Sequence, residues 1–596
     1  MSVEMSKDIS KPEQLITEHI DIWTSAILAK STSGRGSSKK YELYGITKLR
    51  ELILELAVRG KLVPQDANDE PASVLLEKIA AEKAELIKDK KIKKNKPLLA
   101  INDEEKSFNL PKGWEWCKLG NIASYGNPSK AESNTVQSDT WILELEDIEK
   151  GTSRLLEKVR FSERQFKSTK NVFSKDDVLY GKLRPYLDKV VVADESGVCT
   201  TEIIPITCHD NLLPYYLRYF LKSPSFIKYA NGSTHGMSLP RLGTDKAINS
   251  IVSLPPTNEQ QRIVAKVDEL MLLCDQLEQQ TEASIEAHAT LVEVLLATLT
   301  DSGNADELAQ NWARIAEHFD SLFTTEQSIE ALKQTVLQLA VMGKLVPQNP
   351  EDEPASVLLE KIAEEKERLI EEKKIKKEKP LPPISDGEKF FELPKGWEWC
   401  QIDSLSLSSE AGWSPKCDPT PKEGDNWGVL KVSAVTWGKY QPDENKALPN
   451  YLEPKPQYEV KANDFLISRA NTADLVARSV VVPKNTPEKL MMSDKIIRFS
   501  FTKDVFSYYI NLVNNSSYSR EYYAEVAGGT SSSMKNVSRS QVRALKIALP
   551  PLAEQHRIVA KVDELMAICD QLKVKLQQSQ ETQVQLTDAL IDRALG

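Results

Sequence analysis

LPPTNEQQRIVAKVDELM, residues 254–271, returns almost unchanged as LPPLAEQHRIVAKVDELM at residues 549–566. Each copy closes a mixed, strand-like region with a Pro-Pro turn and opens a long helical pattern. Apolar residues then fall at Ile263, Val267, Leu270, Cys274 and Leu277, and again at Ile558, Val562, Leu565, Cys569, Leu572 and Leu576. Steps of four and three in alternation are the seam of a coiled coil. Two different regions ended by the same helix are expected to be held apart at a fixed distance.

Working outward, more of the chain proves to be repeated. GKLVPQ at residues 60–65 and DEPASVLLEKIA at 69–80 recur at 343–348 and 352–363, and LPKGWEWC at 110–117 recurs at 393–400. The offset is 283 residues across these segments and 295 by the LPP motif, so the second intervening region is longer by about 12 residues. Repeats are the first thing to settle, because they dictate the order of structural pieces. Here the order is cyclic. Residues 255–392 carry the LPP helix followed by the GKLVPQ unit, residues 550–596 carry the first part of that unit, and residues 1–109 carry the second. If the termini meet, the chain forms two equivalent halves. Within the repeat, Pro71 and Ser73 mark a helix start, with Ser73 the expected cap. That helix runs into Lys88, Lys90, Lys91, Lys93, Lys94 and Lys96, mirrored by Lys373, Lys374, Lys376, Lys377 and Lys379. Such an end suits either a solvated last turn complementing the helix dipole or contact with phosphates. The loop at residues 31–38 belongs to the first copy alone.

The regions between the repeats, 110–254 and 393–549, resemble each other far less than their frames do. Residues 177–182 (DVLYGK) correspond to 464–469 (DFLISR), and each precedes a Val-Val-Val strand, at 190–192 and 480–482. That pattern predicts a hairpin with a basic residue at its turn. Aromatic-rich helices follow (Tyr215, Tyr216, Tyr219, Phe220; Tyr508, Tyr509, Tyr522, Tyr523), then polar glycine loops at 232–237 and 528–534. The tyrosines read as core, and Trp114, Trp116, Trp397 and Trp399, common to both copies, as junction packing.

The 596 residues provide for several cores. Net charge is −10, but it is unevenly spread: +2 over residues 110–254, +3 over 393–549 and −15 over the rest. The mildly basic mixed regions are thus open to polyanions. Seven scattered cysteines without a CxxC pair point to a reducing compartment with neither disulfides nor zinc. The polar N-terminus has no signal pattern and no apolar run approaches a bilayer-spanning length, so a cytoplasmic location is expected. Motifs for nucleotide or dinucleotide phosphates, HExxH, and an (N/D)PP(Y/F) methyltransferase pocket are all missing from the sequence. The acids of PDENK (442–446) are adjacent rather than converging from separate strands. The six histidines lack metal-ligand spacing. The expectation is a non-catalytic chain that binds no cofactor or metal itself.

The duplicated PPLAEQHRIVAKVDEL junction, the cyclic repeat and two divergent regions inside nearly identical frames resemble the specificity subunit of type I restriction–modification enzymes over essentially the whole chain. The repeated GKLVPQ…DEPASVLLEKI segment resembles the branch with long subunits. The resemblance implies an α+β protein with two globular α/β target recognition domains joined by long antiparallel coiled-coil helices in a pseudo-twofold cyclic arrangement. The domains would be an N-terminal helical region (1–109), recognition domain 1 (110–254), a central region with a spacer helix (255–392), recognition domain 2 (393–549) and a C-terminal spacer helix (550–596). The spacer seam would be Ile263, Val267, Leu270, Leu277, Ile558, Val562, Leu565 and Leu572. Each recognition domain would read half of an asymmetric, bipartite site in double-stranded DNA. Two modification subunits, which bind S-adenosylmethionine, would dock on the spacer helices, and restriction subunits would use ATP and Mg. A spacer of about 30 residues would be roughly 45 Å long at ~1.5 Å per residue, a little over one DNA turn.

Expected DNA contacts in the first domain are Lys182, Arg184 and Tyr186 in the hairpin turn and Ser233, Thr234, His235 and Ser238 in the glycine loop. In the second they are Arg469 and Asn471, then Thr530, Ser531, Ser532, Lys535 and Asn536. Arginine can grip guanine bidentately, while lysine more often meets phosphate. Two other readings remain beside this one: a coiled-coil adaptor that binds only proteins, and a self-sufficient methyltransferase, which the missing cofactor motifs argue against.

Overall fold

The computed structural model describes residues 12–29, 41–90, 92, 98–126, 128–235, 238–436, 438–531 and 534–596. The loop at 31–38 and four of the lysines, Lys91, Lys93, Lys94 and Lys96, lie outside them. The chain divides into two compact units, Met1–Ser284 with Ser579–Gly596, and Ile285–Gln578. The cyclic order of the repeats reappears here, since the last residues of the chain complete the first unit.

In the first unit three repeated motifs meet at one junction. The strand Glu115–Lys118, from LPKGWEWC, pairs antiparallel with Ile251–Leu254, the strand that runs into the LPP turn. Trp114 is buried beneath it, and its indole N–H donates to Glu259 at 2.9 Å. Gln65, the last residue of GKLVPQ, donates to the same carboxylate at 3.1 Å and to Gly60 O at 2.7 Å. Gly60 has φ +66°, and a Cβ there would sit 2.4 Å from Pro111 and 3.0 Å from the Trp114 ring. A left-handed backbone pressed on an indole leaves glycine as the residue that fits. Burial pushes the Glu259 carboxyl above its usual range, opposed by the Gln65 and Trp114 donors.

The second unit repeats this junction residue for residue. Trp397 donates to Glu554 at 3.1 Å, Gln348 donates to Glu554 at 3.2 Å, and Gly343 has φ +70°. Arg262–Asp69 at 2.7 Å is mirrored by Arg557–Asp352 at 2.6 Å. The helix Ala72–Lys88 is capped differently from the sequence expectation. Pro71 is its N-cap residue and makes no side-chain cap, while Ser73 lies inside the helix. The Ala72 N–H instead donates to Gly113 O at 2.8 Å, as Ala355 does to Gly396 O at 2.9 Å. The junction thus satisfies one of the N–H groups left without an intrahelical partner at the helix start.

The two long helices are Thr257–Asp301, of 45 residues, and Leu552–Leu595, of 44. At ~1.5 Å per residue each is about 67 Å long, well beyond the sequence estimate. The seam side chains Ile263, Val267, Leu270, Leu277, Ile558 and Val562 are buried, and Leu565 and Leu572 are partly so. In the second unit the seam is more than a pair of helices. Ile558, Val562 and Cys569 share one core with Val292, Leu296 and Leu299 of the first long helix and with Ile329, Leu332 and Val336 of the helix Glu326–Val341. The first long helix also holds an 18-residue window of mean hydropathy 1.2, the length of a membrane span, where the sequence had suggested no such run. Only 17% of that window is buried, its Val292, Leu296 and Leu299 lying in that core, while Leu291 and Val294 are exposed.

Equivalent ends of the two helices make equivalent contacts. Lys344 Nζ donates to Thr300 O at 2.6 Å in the second unit, and Lys61 Nζ donates to Leu595 O at 2.8 Å in the first. Likewise Lys333 pairs with Asp570 at 2.7 Å, and Arg50, its counterpart, pairs with Asp275 and, at 2.7 Å, with Glu278.

Between the junction strands sit the mixed α/β regions. In the first, a four-stranded antiparallel sheet takes the order Val190–Val192, Val178–Gly181, Ile203–Cys208, Ala123–Tyr125. It faces a five-stranded mixed sheet across a core of Trp141, Leu143, Phe173, Leu179 and Ile203. In the second, Ser406–Ala411, Ile496–Phe501, Phe465–Ser468 and Ser479–Val481 form the matching four-stranded sheet. The expected hairpins are present, with Val190 opposite Tyr180 and Val480 opposite Leu466. Tyr216, Tyr219, Tyr509 and Tyr523 are core residues, whereas Tyr215 and Tyr508 are 47% and 40% exposed.

Candidate nucleic-acid interface

Where each hairpin leaves its sheet, the chain folds into a smaller sheet built from segments distant in sequence. In the first domain, Lys182 O accepts from Leu242 N at 3.0 Å, Leu183 bridges Arg241, and Arg184 N donates to Pro240 O at 2.7 Å. Arg241–Leu242 in turn pairs with Thr234–His235. The hairpin turn and the glycine loop, read separately from the sequence, are thus two edges of one structure, joined by residues 240–242. Arg241 stitches it with a two-pronged ion pair to Glu202 at 3.0 Å.

The second domain builds the same thing. Ala470 pairs with Asn536 and Asn471 with Lys535, and the strand Met534–Asn536 pairs with Gly528–Ser531. Val537 N donates to Arg469 O at 2.9 Å and Arg469 N to Lys495 O at 2.7 Å.

The candidate side chains differ in what they have free to offer. Arg184 is exposed and Lys182 half-buried, and neither side chain bonds a described residue. Arg184 is held at φ +52° ahead of the short turn Pro185–Leu187, where Tyr186 is 54% exposed. Ser238 is exposed. Thr234 spends its hydroxyl on Asn231 O at 3.0 Å, and the half-buried Ser233 lies beside it. His235, Thr530 and Ser531 place their backbones in the sheets, and Ser532 lies outside the described residues. Arg469 is exposed and without a partner among the described residues, and Asn536 is exposed. Lys535 donates to Gly529 O at 2.8 Å. Asn471, the counterpart of Arg184, turns inward: its amide donates to Thr436 Oγ1 at 3.2 Å and its carbonyl accepts from Thr472 N at 2.9 Å. Of the two second-domain turn candidates, Arg469 is therefore the one left to reach outward.

The first turn rests on a buried ion pair that no sequence pattern announced. Lys222, the last residue of the helix Pro214–Lys222, is 7% exposed. Its ammonium donates to Gly151 O at 2.8 Å, Ser153 Oγ at 2.7 Å and Asp188 Oδ2 at 2.5 Å. Ser153 Oγ then donates to Asp188 O at 2.6 Å, and Asp188 is itself left-handed, with φ +49°. Burial pushes the Asp188 carboxyl up and the Lys222 ammonium down, each against the attraction of its partner. In the second domain the helix Ser507–Asn515 ends on Asn515 in place of the lysine, which grips Ser479 O at 3.0 Å. One domain fixes its turn with an ion pair, the other with amides and the Arg520 guanidinium, which donates to Val476 O at 2.6 Å and Ala477 O at 3.0 Å.

Repeated helices framing two such sheets, each presenting at least one basic side chain without a partner among the described residues, define a class of recognition protein, and those residues hold no cluster of three metal-ligating groups. The type I restriction modification DNA specificity domain matches residues 111–287 and 394–581, and the chain belongs to that family. It is 48% identical to the type I restriction enzyme EcoEI specificity subunit of Escherichia coli over 98% of this chain and 100% of the relative. Identity to the EcoAI specificity subunit of the same species is 43%, over 98% and 100%. A chain in a structure described by the complex assembly and conformational transition of the type I R-M system shares the fold, with a TM-score of 0.51 and 18% identity over 82% of this chain and 99% of that one. This chain is accordingly a specificity subunit, not a catalytic one.

Proposed function

We propose that the chain reads a bipartite site in double-stranded DNA. One half is read by the sheet formed from residues 182–186, 233–235 and 238–242, the other by the sheet formed from 469–471, 528–531 and 534–536. The observation that carries this is the convergence of segments some 50 to 65 residues apart into one small sheet per domain, with Lys182, Arg184 and Arg469 left without partners among the described residues. Long cations on a narrow two- or three-stranded ribbon have the reach to enter a major groove and the donors to grip guanine or phosphate. The two domains carry different side chains at equivalent places, which suits two different half-sites. The partners in this reading are two modification subunits docked on the long helices, holding S-adenosylmethionine, and restriction subunits using ATP and Mg, in the cytoplasm.

Mapping of adenine methylation in a host that expresses this chain with its cognate modification subunit tests the reading. A single split motif is expected. Arg184→Ala should relax one half of it and Arg469→Ala the other, each weakening cognate discrimination by about 1–3 kcal/mol, or roughly 5- to 150-fold. A stable complex that methylates no motif, or one whose motif ignores both substitutions, would refute it. The long helices supply the ruler. Four residues inserted in each would add about 6 Å, close to two base pairs at ~3.4 Å each. The same half-sites should then be methylated across a wider gap, and an unchanged gap would count against the ruler.

A further inference from the structure

The lysine-rich segment after the helix Ala355–Glu371 was compatible with a solvated helix end or with phosphate contact, and its placement in the second unit separates the two. Lys373, Lys376, Lys377 and Lys379 are exposed and pair with no described residue, whereas Lys374 pairs with Glu372 at 2.7 Å. The segment does not trail away from the domain. Arg543 pairs with Glu378, donates to Lys379 O at 3.1 Å and anchors on Asp403 at 2.7 Å, while Gln401 donates to Pro382 O at 3.1 Å.

Held this way, Glu378 lines a cleft of about 660 Å³ together with Arg469, Arg539, Arg543, Glu410 and Tyr458. Both acids in its wall are paired, Glu378 with Arg543 and Glu410 with Arg498, each arginine also holding a second carboxylate, Asp403 and Asp464 respectively. Arg539 is exposed and donates to Ser409 O at 2.7 Å rather than to a carboxylate. The cations without an acidic partner among the described residues are Arg469 from the reading sheet, Arg539 beside it, and the lysines one to two residues from Glu378. A group of exposed cations without acidic partners beside a cleft is the footprint of a polyanion, whereas a lysine end that merely complements a helix dipole needs no attachment to the neighbouring domain.

We propose that Lys376, Lys377 and Lys379, with Arg539, form a track for the DNA phosphate backbone beside the second reading sheet, adding affinity without sequence preference. The proposal rests on the reading above, in which that sheet meets DNA. Its test uses the full chain assembled with its modification subunit, carrying Lys376→Ala, Lys377→Ala and Lys379→Ala together, and labelled duplexes with and without the split motif. The slope of log K against log salt should flatten by about 0.9 for every phosphate left unneutralised, so the triple variant should be shallower by about 2 to 3. Affinity for both duplexes should fall by the same factor, the methylated motif should stay the same, and Lys→Arg at the three positions should restore the slope. An unchanged slope overturns the track. So does an unchanged slope with weaker assembly, which would give the lysines to a protein partner. If the unsubstituted complex fails to distinguish the two duplexes, the reading of the sheets fails, a result separable from either.

Discussion

Lys222→Met should cost about 3–5 kcal/mol, because it leaves the Asp188 carboxylate buried without its cation. Lys222 is 7% exposed and the Asp188 side chain 12%, so water cannot substitute for the ammonium. Asp188 Oδ1 already lacks a partner among the described residues. The loss has a local address, since Lys222 ties Gly151, Ser153 and Asp188 around the turn that displays Arg184 and Tyr186. Two readouts follow. Thermal unfolding of the first unit should come earlier, and in complexes that still assemble, discrimination at the half-site read by the first domain should degrade while the other half-site holds. Lys222→Met combined with Asp188→Asn removes the orphaned charge and keeps a residue that tolerates φ > 0. It should recover more than half of the loss. A double variant no better than the single one would show that the pair acts by packing rather than by charge.

Trp114→Ala should be comparably severe. Emptying the space of a fully packed tryptophan costs about 3–5 kcal/mol, and the change also strips Glu259 of one of its two side-chain donors. For a unit of this size that is a fall on the order of 10 °C in its unfolding midpoint. Trp114→Phe keeps a ring against Gly60 but loses the indole N–H, so about 1–3 kcal/mol is expected. Trp397→Ala should do to the second unit what Trp114→Ala does to the first, because Glu554, Gln348 and Gly343 repeat the site. Calorimetry that resolves two transitions checks this directly. If either alanine variant shifted both transitions equally, the junctions would not be private to their units.

The frame was legible because it is written twice. Identical motifs at two offsets revealed which pieces belong together, and GKLVPQ, LPKGWEW and LPP…E do converge at one carboxylate in each unit. The spacing of apolar residues located the seam. It underestimated the helices, because between Leu277 and Val292 the exposed, polar turns hide the continuing pattern, and the burial resumes on Val292, Leu296 and Leu299. The candidate sites were half legible. The hairpin and the glycine loop were recognisable as local patterns, but their union depends on residues 240–242, a pairing across nearly 60 residues that no local periodicity records. Asn471 illustrates a further limit: alignment with Arg184 places it at the turn, while only geometry shows its amide turned to Thr436 and Thr472. Lys222, at the end of an aromatic helix, carries no mark in the sequence of the burial it undergoes.

The hydrogen bond from Lys61 to Leu595 O sets an order of events during synthesis. The second unit is one unbroken stretch, Ile285–Gln578, whereas the first waits for Ser579–Gly596. Its earlier part leaves the ribosome while roughly 300 residues are still to be made, which takes about 15–60 s at ~5–20 residues per second. Throughout that interval the face that later receives the end of the second long helix is uncovered. The first half to emerge is thus the last to be finished.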